Sequence, residues 1–345
     1  MTIKFAQQWP ILDTERALTC PYCDSAERVV VYERVRDWSF QCAPGEWTYW
    51  DCTNCNSLYL DPRPTPKSIG SAYADYYTHG TSRSISVVKR MKLRLRNECL
   101  SHIVKTSIEP RLHLPKMFNP VLRQIADRVH LPFDLSLLVH TQKGKLVDVG
   151  CGDGHTVAWA KQLGWDAMGI EIDPAAVCEA RSKNLNVLEG TYEMLSSLTQ
   201  RFDCIVCSHV LEHVHDPRAL LRALKKSLKP GGLLLLTLPN SLSALRHHFG
   251  ADWRGLEAPR HISIPSEHYL LRLLEQLDFS VRSYADNQLP TAEESYRIQR
   301  RSLIASRSDR KRARQLDIIP MNVLYGNDFI KLACSSPSST ETDFQ

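Results

Sequence analysis

Two pairs of cysteines stand early in the chain, in "CPYC" (Cys20, Cys23) and "CTNC" (Cys52, Cys55), with 28 residues between the pairs. Each C-x-x-C puts two thiolates on one tight turn, and two such turns complete a tetrahedral S4 shell for zinc. Four thiolates leave no open coordination position, so the zinc they predict is structural rather than catalytic. The aromatic, β-forming segment between them, "WSFQCAPGEWTYWD", reads as a short hairpin with the metal as its core and Cys42 as a bystander. A third C-x-x-C, Cys204 and Cys207 in "FDCIVCSHV", lies in an apolar run. Residues three apart on a strand face opposite sides, so both read as core cysteines.

A second constellation begins at "KLVDVGCGDGHTV". Gly150, Gly152 and Gly154 are spaced G-x-G-x-G, one residue short of the dinucleotide fingerprint. Asp148 precedes the first of them, where it would repel a pyrophosphate but favour the amino end of a cationic or zwitterionic ligand. Glu171 ends the next apolar run 23 residues later, placed to accept hydrogen bonds from both hydroxyls of a ribose. A ligand with a ribose, an adenine and a cationic amino-acid arm satisfies all of these, and that ligand is S-adenosylmethionine.

The third group is histidines: His209, His213 and His215 in "SHVLEHVHD" and His261 in "PRHIS". An acceptor hydroxyl must lose a proton, which a positioned imidazole can take. His213, beside Glu212 just past an apolar strand, and His261, in a segment expected to fold back over the pocket, are the candidate bases. His215, before Asp216-Pro217, reads as the lead into a helix. A base with an ordinary imidazole pKa of about 6.5 predicts a rate that rises with pH through that value.

These residues need elements to hold them. From Lys145 onward, apolar runs of strand length alternate with helical periodicity: "KLVDVG", "HTVAWAKQLG", "DAMGIEID", "PAAVCEARSKN", "NVLEG", a short helix from Tyr192, "FDCIVCSHV", "PRALLRALKKSLKPGG" and "LLLLTLPN". The pattern predicts βαβ units, a parallel sheet covered on both faces and a doubly wound, Rossmann-like α/β fold. Prolines 62, 64 and 66 end the cysteine segment, and helices broken at prolines 110, 115, 120 and 132 follow it. The expected organisation is a zinc-ribbon-like domain over 1–66, a helical linker or cap over 67–140, a ligand-binding domain over 141–336 with a basic helical insertion at 287–325, and a flexible tail at 337–345.

The 345 residues carry a formal charge of +5. Arg83 to Arg96 holds six cations and no acid, and Arg297 to Arg314 eight cations opposed by Asp309 alone. They read as solvated helix faces or as contacts for an anionic partner, a membrane surface or nucleic acid. No secretory pattern opens the chain, and its longest apolar run, "LLLLTL", is far short of a membrane span, so a cytoplasmic location is expected.

In order and spacing, "LVDVGCGDG", "GIEIDP", "VLEG", "FDCIVCSHVLEHVHDP" and "LKPGGLLLLTLPN" resemble the class I S-adenosylmethionine-dependent methyltransferases, above all the branch with ubiquinone-type, sugar and natural-product O-methyltransferases. "APRHISIPSEHYLLRLLEQLDF" is similar to the segment after their fifth strand, and "GNDFIKLAC" to their final strand. The resemblance implies a seven-stranded sheet, with Asp148, Gly150 and Gly152 along the methionine moiety and Glu171 on the ribose. It places Ile172 beside the adenine, Gly190 and Thr191 near its edge, and Ser208 and His209 beneath the sulfonium. The implied activity is methyl transfer to a small-molecule hydroxyl of a sugar, glycolipid or natural-product intermediate. Two alternatives stand beside it: an RNA methyltransferase using the ribbon, the basic tracts and the aromatics Trp38, Trp47, Tyr49 and Trp50, and a non-enzymatic interaction protein on a methyltransferase scaffold.

Overall fold

The computed structural model describes residues 8–73, 87–104, 106–126, 133–284, 291–302, 304–316 and 326–337. The Arg83 end of the first basic tract, residues 317–325 of the insertion and the tail from 338 lie outside the described residues. Two compact units are present, one of residues 1–77, 207–226 and 234–345 and one of residues 78–206 and 227–233.

The chain begins with β1 (Thr14–Glu15), β2 (Arg28–Val35), β3 (Trp47–Cys52), β4 (Leu58–Leu60) and β5 (Arg63–Pro64). Helices α1 (Val87–Val104), α2 (Asn119–Ala126) and α3 (Phe133–His140) follow. The alternating part then runs β6 (Lys145–Val149), α4 (His155–Gln162), β7 (Asp166–Glu171), α5 (Pro174–Ser182), β8 (Val187–Glu189), β9 (Phe202–Ser208), α6 (Pro217–Ser227) and β10 (Leu228–Pro239). It closes with α7 (Ala244–Phe249), β11 (Ser263–Ile264), α8 (Glu267–Gln276), β12 (Ser280–Ser283), α9 (Ala292–Gln299), α10 (Arg307–Gln315) and β13 (Phe329–Ser335).

Seven strands form one sheet in the order β12-β13-β10-β9-β6-β7-β8. Pairing is parallel from β9 through β6 and β7 to β8, and antiparallel between β12 and β13. The order reverses at β6: the chain first builds outward through β7 and β8, then returns to place β9 on the other side. In doubly wound sheets such a switch point, at the carboxyl ends of the strands, is where ligands bind. Asp148, near the end of β6, pairs in register with Gly169 on β7 and Val206 on β9. The buried runs of these strands, among them Leu146, Val147, Ile205 and Val206, match a sheet covered on both faces. Cys204 and Cys207 are buried in β9, as core cysteines. β10 starts at Leu228 rather than Leu233, and takes in Lys229 to Gly232, which the sequence reads as the end of the preceding helix; Gly231 keeps a left-handed φ of 72° within it.

The ribbon departs from the reading of a metal with no other core. Its sheet has four strands in the order β11-β4-β3-β2, the fourth being Ser263–Ile264 from far downstream. Trp47, Tyr49, Leu58 and Leu60 pack in one apolar cluster with Leu245, Trp253, Ile262 and Tyr296, so the ribbon shares a hydrophobic core with α7, α9 and the segment that carries His261.

Candidate functional site

The turn after β6 is left-handed at all three glycines, with φ of 73°, 55° and 82° at Gly150, Gly152 and Gly154. The last two have different tasks. A Cβ at Gly154 would run into Leu185 Cδ1 at 2.4 Å, so that glycine lets α4 pack. A Cβ at Gly152 meets nothing within 4 Å, so that glycine faces open space beside the turn. Its N–H donates to Glu171 Oε2 (2.8 Å), while the Asp173 N–H donates to Oε1 (2.9 Å). Two backbone donors thus aim the Glu171 carboxylate from the end of β7 and leave each oxygen a further lone pair for a ligand hydroxyl. Ile172, the next residue, is 67% exposed, a large apolar side chain suited to one face of an aromatic base. Gly190 follows β8 and donates its N–H to the Glu171 carbonyl (2.8 Å), and the Thr191 hydroxyl bonds the Glu193 carboxylate.

Asp148 is the electrostatic centre of this cradle. It is buried, and desolvation, reinforced by the charges of Asp134 and Glu171, pushes its carboxyl well above the usual carboxylate range despite a hydrogen bond with Thr156. A carboxylate in that setting is stabilised by a cation and destabilised by an anion. The donor set therefore fits a ligand with an ammonium group, a ribose and a planar base, as S-adenosylmethionine has, and it disfavours a pyrophosphate.

The other constellation belongs to the unit that contains the ribbon. β9 ends at Ser208, which is half-buried, and His209 follows in the left-handed region (φ 56°) with its N–H donating to the Thr237 carbonyl (2.7 Å). The His209 ring packs edge-on against Phe329 at 5.0 Å, and its Nδ1 lies 3.2 Å from Glu212 Oε1. Glu212 is fully buried, and its other oxygen, Oε2, has no hydrogen-bond partner among the described residues. Burial works against its ionisation, but the His209 bond and the neighbouring imidazoles hold its carboxyl below the ordinary value. One oxygen of Glu212 and one nitrogen each of His213 and His261 lie within 4.8 Å of one another.

Hydrogen bonding settles the tautomers of both histidines. His261 Nδ1 is 2.7 Å from the Gly255 carbonyl, and His213 Nδ1 is 3.0 Å from the Arg260 carbonyl and 2.9 Å from the Tyr73 hydroxyl. A carbonyl can only accept, so each Nδ1 carries the proton and, in the neutral ring, each Nε2 is a bare acceptor. Burial lowers the His261 pKa to about 4, which keeps the ring neutral at physiological pH. His261 Nε2 lies 3.6 Å from Glu257 Oε2, so the group of Glu212, His213 and His261 is rich in acceptors and suits a donor such as a ligand hydroxyl. His215 stands outside it: it leads into α6 and donates Nε2–H to the Pro64 carbonyl (2.9 Å).

Behind His261 is a buried ion-pair network that the sequence did not disclose. Arg260 is fully buried, paired with Asp37 (2.5 Å) and Glu257 (3.0 Å), and it donates to the Ala72 carbonyl (3.0 Å). Burial opposes ionisation of Glu257, but Arg254, His261 and Arg260 hold its carboxyl far below the ordinary range. Glu257 has a left-handed φ of 39°, a strained conformation for a non-glycine residue. The Tyr49 hydroxyl donates to the His261 carbonyl (2.8 Å). Glu257 and Arg260 precede His261 in the same short segment, whereas Tyr73 reaches the cluster from a position that no local spacing links to it.

The four ribbon cysteines come together as the sequence predicts. Cys20 and Cys55 sulfurs are 3.5 Å apart, those of Cys23 and Cys52 3.4 Å, and all four lie within 4.8 Å of one another. A tetrahedron with zinc–sulfur bonds of about 2.3 Å has edges of about 3.8 Å, so the set fits zinc. The knuckles are alike: Cys20 N–H bonds the Ser25 carbonyl and Cys52 N–H the Ser57 carbonyl, each at 2.9 Å, and Asp24 and Asn56 turn the chain with φ of 61° and 57°. Hydrogen bonds from Cys20 and Ser57 pull the Cys55 thiol down to about 5 against its burial, so a thiolate is already favoured there. Cys42 lies apart, beside Asp37 and Arg260. Of the ribbon aromatics, Trp47 and Tyr49 are buried in the core, and the Trp50 ring is covered by Arg28 at 4.0 Å. They do not form an open platform for stacking bases.

Known proteins are similar to part of this chain. The methyltransferase domain family matches residues 120–284. A ubiquinone biosynthesis O-methyltransferase of Cereibacter sphaeroides is 33% identical over 146 residues, 39% of this chain and 59% of that protein. One of Xanthomonas campestris is 33% identical over 134 residues, 36% and 52% respectively. The chain thus spans about half the length of these curated relatives. The crystal structure of YcgJ from Bacillus subtilis superposes with a TM-score of 0.43 at 18% identity, over 60% of this chain and 97% of that one.

Proposed function

We propose that this chain, which carries a class I S-adenosylmethionine-dependent methyltransferase domain, transfers the donor's methyl group to a hydroxyl of a small molecule. The observation that carries the donor half is Asp148, a buried carboxyl raised by its surroundings and therefore in want of a cation. The acceptor half rests on Glu212 Oε2, a buried oxygen without a partner among the described residues, grouped with two histidines whose Nδ1 protons are already engaged. Relatives named for O-methylation in ubiquinone biosynthesis agree with a hydroxyl acceptor. A sugar, glycolipid or natural-product intermediate remains our reading of its class.

Asp148, Gly150 and Gly152 would take the methionine part of the donor, Glu171 the ribose, Ile172 a face of the adenine and Gly190 and Thr191 its edge. Ser208 and His209, at the end of β9, would line the methyl-bearing sulfur. The sulfonium supplies its own leaving group, so holding the acceptor oxygen in line with the S–methyl bond accounts for most of the rate; such orientation is worth about 7 to 11 kcal/mol in well-ordered systems. The acceptor proton would pass to Nε2 of His213 or His261, with Glu212 accepting a hydrogen bond from the substrate. Zinc, where bound by Cys20, Cys23, Cys52 and Cys55, shapes the ribbon.

The test starts from acceptor identified by mass spectrometry of material that co-purifies with the protein. His213→Gln and His261→Gln are both expected to keep donor affinity within a few-fold of wild type. The variant that removes the base should slow methyl transfer by about 100-fold or more. With His261 as base, only its neutral form accepts the proton, so the rate should rise with pH through about 4 and then level. An inflection well above that value assigns the base to another group. Normal turnover in both variants would rule out a histidine base altogether.

A further inference from the structure

The first half of α1 is built unlike the rest of the molecule. From Asn97 to Ser101 the helix is buried, and it is held to α2 through Cys99 and Leu122. From Arg90 to Leu95 every residue is exposed, and so is Val87. This exposed half is nevertheless rich in apolar side chains. Val87, Met91 and Leu95 recur every fourth residue and so form one stripe along the helix, 68%, 50% and 37% exposed. At about 100° per residue, Arg90 and Arg94 flank that stripe on one side and Lys92 and Arg96 on the other, with Leu93 opposite. No carboxylate occurs in α1 before Glu98, which is buried. The turn before α2 and α2 itself add Met117, Phe118 and Val121, also exposed.

We propose that this half of α1 is a contact site for anionic phospholipid membranes, lying in the headgroup plane with Val87, Met91 and Leu95 inserted and the flanking cations on lipid phosphates. An apolar stripe bordered on both sides by Lys and Arg is the arrangement that gains from both parts of such an interface at once. A second copy of the chain is a poorer occupant, because pairing two of these helices sets four cations against four. Nucleic acid is poorer also, since it leaves the stripe in water.

Co-sedimentation of the full-length protein with lipid vesicles tests this. The protein should partition onto vesicles of phosphatidylcholine with phosphatidylglycerol but not onto phosphatidylcholine alone, and added salt should weaken the partition. Arg90→Glu with Arg94→Glu should lower it about tenfold or more, as should Met91→Asp with Leu95→Asp, whereas Arg310→Glu with Arg314→Glu in α10 should leave it unchanged. All these residues are exposed, and unchanged donor binding by each variant confirms an intact fold. In a Leu95→Trp variant the indole emission should shift to the blue on anionic vesicles. The proposal is overturned by no partition, by equal partition onto neutral vesicles, or by equal losses from the α10 variant. It is overturned too if the α1 variants instead abolish self-association, or if they weaken binding to polyuridine as much as to lipid.

Discussion

Replacing Asp148 by asparagine is expected to weaken binding of S-adenosylmethionine by about 10- to 100-fold, the cost of removing a charged hydrogen-bond partner worth about 1.5 to 3 kcal/mol. The same change should leave the ligand-free protein as stable as before, or make it more so. The reason is the sign of the Asp148 shift. Its carboxyl is raised above the ordinary 3.8 in the folded state, so across the window above 3.8 the folded chain binds more protons than the unfolded one, and folding stability falls as pH rises through that window. Asparagine cannot ionise and escapes that loss. A cationic ligand reverses the effect: it lowers the Asp148 pKa, expels a proton and binds more tightly as pH rises through the same window. Calorimetry in buffers of different ionisation heat should detect the released proton in wild type and none in the variant, and thermal melts should rank the ligand-free forms. Wild-type affinity in Asp148→Asn, together with melting unchanged by pH, would remove Asp148 from the donor site.

Loss of the metal is the second large effect. Cys20→Ser and Cys52→Ser should each abolish the single zinc found by elemental analysis, while Cys42→Ser and Cys204→Ser keep it. Removing a direct ligand should cost more than the roughly 10- to 100-fold that loss of an outer partner costs a metal site. Hydrogen exchange should show the knuckle amides of Cys20, Asp24, Cys52 and Asn56 losing protection, since their turns depend on four sulfurs converging. The apolar cluster of Trp47, Tyr49, Leu58 and Leu60 with α7 and α9 should keep β3 and β4 protected, because that core does not depend on the metal. A freshly isolated protein without zinc would sink the assignment, and global unfolding of the serine variants would show that the shared core is too weak to stand without it.

The juxtaposition of Asp148, the glycine turn and Glu171 was legible because they sit on consecutive elements, so their spacing already contains the geometry. The paired cysteine knuckles were legible for the same reason, each being a local turn. His213 and His261 could be named as candidates from residue type and placement, but what surrounds them could not. Tyr73 reaches His213 across 140 residues, and Asp37 reaches Arg260 across 223, and no periodicity records such meetings. β11 is only two residues long, too short to leave an alternating pattern, so the ribbon read as self-contained. The start of β10 was hidden by Pro230, Gly231 and Gly232, which favour a turn locally while the sheet imposes extension.

β11 also bears on how the chain is made. Ser263 and Ile264 pair with Tyr59 and Leu58, about 200 residues earlier, so the ribbon sheet cannot close until most of the polypeptide has left the ribosome. Through that interval β4 is an open edge, and in the finished protein all three of its residues, Leu58, Tyr59 and Leu60, are buried. An unpaired apolar edge held open during synthesis is a template for pairing with the wrong chain. Nascent chains arrested before residue 263 should therefore depend on chaperones and aggregate without them, and a polar substitution at Leu58 should relieve aggregation of the arrested chain while harming the completed protein.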